Sequence, residues 1–214
     1  MVKFFKKESE FEDLSFGKPI KGNDGRYFIG CFVRKDNEPL EEIVCQFSKQ
    51  LISANEIVTN GGTDFYISDE ETIEFIKECD DKMLELCKIN KEEWFPGKDI
   101  SDEYVEQAFM SSLSNVKKQK NTIKFKTRTS KELTIFNSAK EIINIDEVTE
   151  GTKLGIIVQL AGLWFTTSRF GITWKLRQGK LIEKVQINKF GKSLFNDDDE
   201  EMGDDDDMNV FPDT

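Results

Sequence analysis

The chain of 214 residues contains no histidine. That absence removes the commonest general base, the usual activating partner of a nucleophile and the commonest metal ligand. Cysteine is scarce as well. Cys31, Cys45, Cys79 and Cys87 form no CxxC pair, and a zinc site without histidine needs a cysteine-rich cluster. They are expected to be free thiols of a reducing, intracellular compartment. No run of about eighteen apolar residues is present to span a membrane. Residues 1–7 lack the apolar stretch of a signal peptide. No GxxxxGK[ST] phosphate loop occurs; "GTKLG" is too short and "NGG" at 60–62 reads as a turn. These absences favour a protein that is not an enzyme and carries no cofactor and no metal.

What is present is charge, unevenly placed. Charged residues make up 33% of the chain and hydrophobic ones 37%, a balance that implies one core plus a heavily solvated segment. The net charge of −11 conceals three parts. Residues 1–114 hold fourteen bases against twenty-five acids. Residues 115–193 hold sixteen bases against six acids, a net of +10. Residues 197–214 hold ten acids and no base. This last stretch cannot bury enough apolar surface to offset its ordering entropy, and is expected to be disordered. Extended at roughly 3.3 Å per residue, it spans on the order of 60 Å. That is long enough to fold back over a groove on its own domain as a competitor of opposite charge. Behind Asp204, Asp205, Asp206 and Asp207 come Met208, Val210 and Phe211. An aromatic behind an acidic run suits a peptide that docks on a partner after electrostatic approach.

The body reads as β-structure with a helical insertion. Residues 25–34, "GRYFIGCFVR", are apolar on both faces, as for a central strand, and Gly30 marks a bend or a close backbone approach. Residues 41–48 are expected to pair with them as a hairpin. A helix is predicted from 68 to 89, with Ser68 as N-cap, Glu71 completing a capping box, and an apolar stripe of Ile73, Ile76, Cys79 or Asp80, Met83 and Cys87. A second, from Ser101, packs Val105, Phe109 and Leu113 inward. Residues 121–130 alternate cleanly, Ile123 and Phe125 against Lys124, Lys126 and Arg128, with 132–137 as a returning hairpin strand. Residues 152–168 form a long strand with a bulge at "AG", 161–162, followed by an antiparallel partner at 169–178 and a further strand at 180–187. Five to seven strands and two helices give a mainly β chain, an OB-fold-like Greek-key barrel. Its domain spans residues 1–195, with a helical insertion at about 68–114 and an acidic tail at 196–214.

The chemistry concentrates in "GLWFTTSRFGITWKLRQGK", residues 162–180. Alternation puts Phe170, Ile172, Trp174 and Leu176 on one side, the core, and Gly171, Thr173, Lys175 and Arg177 on the other. The bulge leaves two candidates for an exposed stacking ring, Trp164 and its alternative Phe165. Lys124, Lys126, Arg128, Arg169, Lys175 and Arg177 fall on strands or turns of the same basic half. Cations that track phosphates beside rings that stack on bases suit sequence-independent binding of single-stranded nucleic acid. Readout of a duplex wants a recognition helix, and the helices here are acidic. Two other readings remain open: an acidic protein-interaction or histone-chaperone-like module, and an RNA-binding barrel.

A barrel with a helical insertion, a basic second half, "GLWFTTSRFGITWKLRQ" near its end and an acidic terminus with a late aromatic resembles the bacteriophage T7-type single-stranded DNA-binding proteins. The resemblance extends to those of large nucleocytoplasmic DNA viruses and covers about residues 10–190 plus the tail. It implies an OB-fold and single-stranded DNA as partner, bound during viral DNA replication, recombination or repair. It also implies a tail that occupies the groove when DNA is absent and recruits replication proteins such as DNA polymerase, with a homodimer among the assemblies to test. Host cytoplasm, nucleus or a viral replication site is the implied location. In the phage protein the aromatic is the last residue; here Phe211 is followed by Pro212, Asp213 and Thr214.

Overall fold

The structure is a computed structural model that describes residues 2–5, 13–23, 25–34, 39–53, 57, 61–95, 100–116 and 123–183. The acidic tail and its residues Asp204, Asp205, Asp206, Asp207 and Phe211 lie outside the described residues. So does the end of the strand expected at 180–187.

The strands in chain order are β1 (Val2–Phe5), β2 (Leu14–Phe16), β3 (Ile20–Lys21), β4 (Tyr27–Val33), β5 (Glu42–Ser53) and β6 (Gly62–Ile67). After the helices α1 (Glu70–Ile89), α2 (Lys91–Trp94) and α3 (Asp102–Ala108) come β7 (Phe109–Met110), β8 (Leu113–Asn115), β9 (Ile123–Phe136), β10 (Ile142–Ile143), β11 (Lys153–Phe165) and β12 (Phe170–Glu183). Five of them close a barrel in the order β5–β6–β9–β12–β11 and back to β5. All neighbours are antiparallel except β9 and β12, which run parallel. A closed five-stranded Greek-key barrel of this kind is the OB-fold arrangement. Closure leaves the barrel no free edge. The helices are inserted between β6 and β9, where the sequence pattern puts them.

Alternation explains the interior. Phe65, Phe125, Trp174, Leu154, Val158 and Leu176 are each no more than 1% exposed. Phe125 meets Trp174 edge-on at 5.6 Å and Phe47 at 6.0 Å. Near the β11–β12 turn the core is aromatic: Phe165 stacks on Phe170 at 5.4 Å, and Phe95 packs edge-on against both. Trp94 of α2 joins them at 6.5 Å from Phe165. The helical insertion thus seals one end of the barrel. Offset and edge-on ring pairs add roughly 0.5–1.5 kcal/mol each beyond area burial. All four cysteines are free and buried, and burial pushes the thiols of Cys31, Cys79 and Cys87 above their ordinary range, away from nucleophilic use.

The bulge expected at 161–162 is present. Leu160 pairs with Trp174 but Gly162 with Thr173, so Ala161 is the extra residue. Gly162 sits at φ 143°, and a Cβ there would lie 2.0 Å from the Ile29 carbonyl oxygen. That is the close approach anticipated at Gly30, which is the register partner of Gly162.

Five local expectations are corrected. Strands β4 and β5 are not a hairpin: they share one bridge, Val33 to Glu41, while β4 pairs with β11 along Gly162–Phe165. Residues 132–136 do not turn back but continue β9 without a break. Residues 180–183 likewise continue β12 and do not open a further strand. The cap of α1 is Asp69, not Ser68; its carboxylate accepts from the Thr72 amide at 2.9 Å and hydroxyl at 2.6 Å. The helix opened by Ser101 ends at Ala108, and Phe109 and Leu113 lie in the short strands β7 and β8. Two consecutive serines, Ser111 and Ser112, prefer turns to helix interiors, which is the local reason.

Candidate nucleic-acid interface

Strand β9 alternates as its sequence dictates. Phe125, Thr127 and Thr129 are buried, and Lys124, Lys126 and Arg128 face out. Parallel pairing sets Arg128 beside Lys175 of β12, and antiparallel pairing sets Lys175 beside Gln159 of β11. On the other side Arg128 faces Gly62 of β6, so no side chain crowds it from that strand. Gly62, Arg128, Lys175 and Gln159 therefore form one row across four strands of the outer barrel wall. Among the described residues Lys126, Arg128 and Lys175 take part in no ion pair.

The outer cations at the two ends of this face differ. Lys124 is bridged to Asp64 at 2.8 Å. Arg177 bonds the Gln159 side chain at 3.2 Å and lies 3.2 Å from Glu132 and 3.7 Å from Glu42. Both still face outward, but their charge is matched. Arg169 sits in the exposed β11–β12 turn, where its amide and carbonyl are held by Thr166.

The bulge decides the aromatic. Beyond Ala161, Leu163 and Phe165 face the core at 0% and 4% exposure, and Trp164 faces out, half-buried. Trp164 pairs with Gly171 across the ladder. A Cβ on residue 171 would come within 3.2 Å of the indole and 2.7 Å of the Met110 carbonyl oxygen. Glycine there leaves room for the indole against β12 and lets β7 approach.

Sequence reasoning missed how β9 and β12 part at this end. The segment from Phe109 to Asn115 enters the gap: β7 pairs with β12 at Phe170–Gly171, β8 pairs with β9, and the Ser112 carbonyl accepts from the Lys126 amide at 3.0 Å. Below the split lies a hollow of about 180 Å³, walled by Trp164, Met110, Lys126 and Arg128, with Thr173 and Trp174 among its lining. The turn is pinned from beneath by Asp80 of α1, which is 4% exposed. Its carboxylate accepts from the Ser111 hydroxyl at 2.7 Å, the Ser112 amide at 2.8 Å and the Ser112 hydroxyl at 2.6 Å. The Ser112 oxygen in turn accepts from the Trp174 indole N–H at 2.8 Å. Burial holds the Asp80 carboxyl above its ordinary value of 3.8, and the serine hydrogen bonds pull it part of the way back. The signal for Asp80 was in the sequence: an acid inside the apolar stripe of α1.

Of the expected residues, Lys126, Arg128 and Trp164 come together around one hollow, and Lys175 continues the row. Lys124 and Arg177 flank it with their charge matched, and Arg169 stands at the turn. Among the described residues no cluster of Cys, Asp and Glu is arranged to hold a metal ion. Among them, too, no helix is long and apolar enough to cross a membrane.

Fold and site together define an OB-fold-like barrel with a basic outer face that carries one half-exposed indole. The chain belongs to a family of unknown function, DUF5871, which its residues 55–197 match. Its fold is similar to that of gp2.5, a single-stranded DNA-binding protein encoded by bacteriophage T7, at 14% identity and a TM-score of 0.47, over 74% of this chain and 98% of that one. The single-stranded DNA-binding protein of bacteriophage Enc34 in complex with single-stranded DNA is also similar, at 12% identity and a TM-score of 0.44, over 81% of this chain and 97% of that one. No curated protein matches the chain.

Proposed function

We propose that the chain is a non-enzymatic, sequence-independent single-stranded DNA-binding protein. The observation that carries this reading is three cations with no ion pair among the described residues, Lys126, Arg128 and Lys175, beside a half-exposed Trp164 on the outer wall of the barrel. Phosphates track the cations, and an unpaired base stacks on the indole. Arg169 extends the track to the β11–β12 turn. The tail of net charge −10 competes for the same face when DNA is absent and recruits replication proteins when it is displaced. The protein acts in DNA replication, recombination or repair, of viral DNA on the resemblance.

The test is a salt titration of oligo-dT binding. Each phosphate contact contributes about −0.7 to the log–log slope, so three cations give a slope of about −2. A flat response, or no binding, overturns the reading. Removal of residues 197–214 tightens binding at low salt; unchanged affinity assigns the tail another role.

A further inference from the structure

Strand β4 carries a pattern that the cation row does not use. From Arg26 to Arg34 the sequence reads "RYFIGCFVR", and every second residue is Arg26, Phe28, Gly30, Phe32 and Arg34. Ile29, Cys31 and Val33 point the other way and are at most 1% exposed, so that face belongs to the core. Phe28 and Phe32 are half-buried and stand outside the core cluster and the side chains packed against it. Among the described residues neither meets another ring. Large apolar side chains kept off a core and grouped on one face mark an interaction surface.

The two glycines where β4 meets β11 shape this face. A Cβ on residue 30 would lie 2.8 Å from a ring carbon of Phe32, so glycine is what lets that ring reach back along the strand. Its register partner Gly162 raises no side chain beside it. Two residues along, Phe28 is paired with Trp164, and Trp164 with Gly171 of β12. Paired residues of neighbouring strands share a face, so Phe32, Phe28 and Trp164 stand on one continuous outer surface. Strands lie about 4.8 Å apart, which puts β4 about 10 Å from β12, where the cation row crosses. Arg34 is exposed at the far end of β4 and takes part in no ion pair among the described residues.

We infer that single-stranded DNA, having crossed the cation row and Trp164, continues onto β4, where bases stack on Phe28 and Phe32 and a phosphate meets Arg34. This rests on the single-stranded DNA reading and extends it to a face which that reading leaves unused. Rings in line with a cation beyond them are the parts of a sequence-tolerant platform. Arginines at both ends of the strand favour a polyanion over an apolar partner surface. The β4 face thus lengthens the footprint of the interface and gives the strand a direction across the barrel.

Oligomer length tests the path. The full chain and Phe28→Leu/Phe32→Leu, which keeps apolar volume and removes the ring faces, are titrated with oligo-dT of about 4 and about 16 nucleotides, the limits of one OB-fold site. Binding of the long oligomer is expected to weaken about tenfold in the variant, while the short one, seated at Trp164 and the cation row, stays within about twofold. An equal long-to-short affinity ratio in both proteins overturns the β4 path and leaves single-strand binding standing. If that ratio holds while the variant shifts the oligomeric state in sedimentation, the face joins copies of the chain instead. If neither oligomer binds the wild type, single-strand binding itself falls. Arg34→Ala alters an exposed side chain and leaves the packing intact. It is expected to flatten the log–log salt slope for the long oligomer by about 0.7, and an unmoved slope overturns the path. Ultraviolet cross-linking of the wild type to the long oligomer needs no variant. Adducts on the peptide that holds Phe28 and Phe32 support the path, and adducts confined to the Trp164 peptide overturn it.

Discussion

The lysines of the helical insertion and the cations of the barrel wall are used differently. Lys82, Lys88 and Lys91 each meet a carboxylate, Glu85 at 2.8 Å, Glu106 at 2.5 Å and Asp102 at 2.6 Å. Lys126, Arg128 and Lys175 meet none among the described residues. On the helices, the charge of these three is spent within the molecule: Lys88 and Lys91 fasten α1 and α2 to α3, and Lys82 pairs within α1. On the wall it is left facing water beside an indole. The net charge of a chain therefore says little about what it can bind; the pairing of each charge says more.

The largest effect expected separates the two tryptophans of β11 and β12. Trp174→Ala removes a fully buried ring and the donor to Ser112, and lowers stability by about 3–5 kcal/mol in denaturant unfolding. Next, changing Lys126, Arg128 and Lys175 together to Ala weakens oligo-dT binding on the order of a hundredfold at low salt and flattens the log–log slope by about 2. The same change at Lys82, Lys88 and Lys91 leaves the slope where it was; a slope that drops equally for both sets breaks the comparison. Trp164→Ala costs about 1–3 kcal/mol of binding free energy, read by fluorescence anisotropy, with the melting temperature close to that of the wild type.

The smallest effect concerns the anchor below the hollow. Asp80 is held above its ordinary value of 3.8, so the folded state favours its protonated form. Its stabilising contribution is full below 3.8 and is lost as pH rises through the elevated folded value. Melting temperatures of the wild type relative to Asp80→Asn should fall as pH climbs from 3.8 through the elevated folded value and level off beyond it. A constant difference across that window denies the carboxyl this role.

Much of the wall was legible because strand alternation is a local rule. Phe170, Ile172, Trp174 and Leu176 inward with Lys175 and Arg177 outward follows from a period of two. Non-local facts were not legible. The pairing of β4 with β11 depends on two glycines more than a hundred residues apart in sequence, Gly30 and Gly162. The split between β9 and β12 depends on a segment whose Phe109 and Leu113 keep helical spacing while two serines break the helix. The matched charge of Arg177 comes from Glu42 and Glu132, which lie on other strands. Pattern gives the side a residue faces, and only the fold gives its neighbours.

The single added residue at Ala161 is a parity switch. Run straight from the Leu160–Trp174 pair, β11 would send Trp164 into the barrel against Phe170 and turn Leu163 and Phe165 to the water. One extra residue flips that assignment for everything up to the turn and leaves everything before it untouched. Ala161 and Gly162 thus write the indole of Trp164 onto the outside of a strand whose first half has already committed its phase to the core.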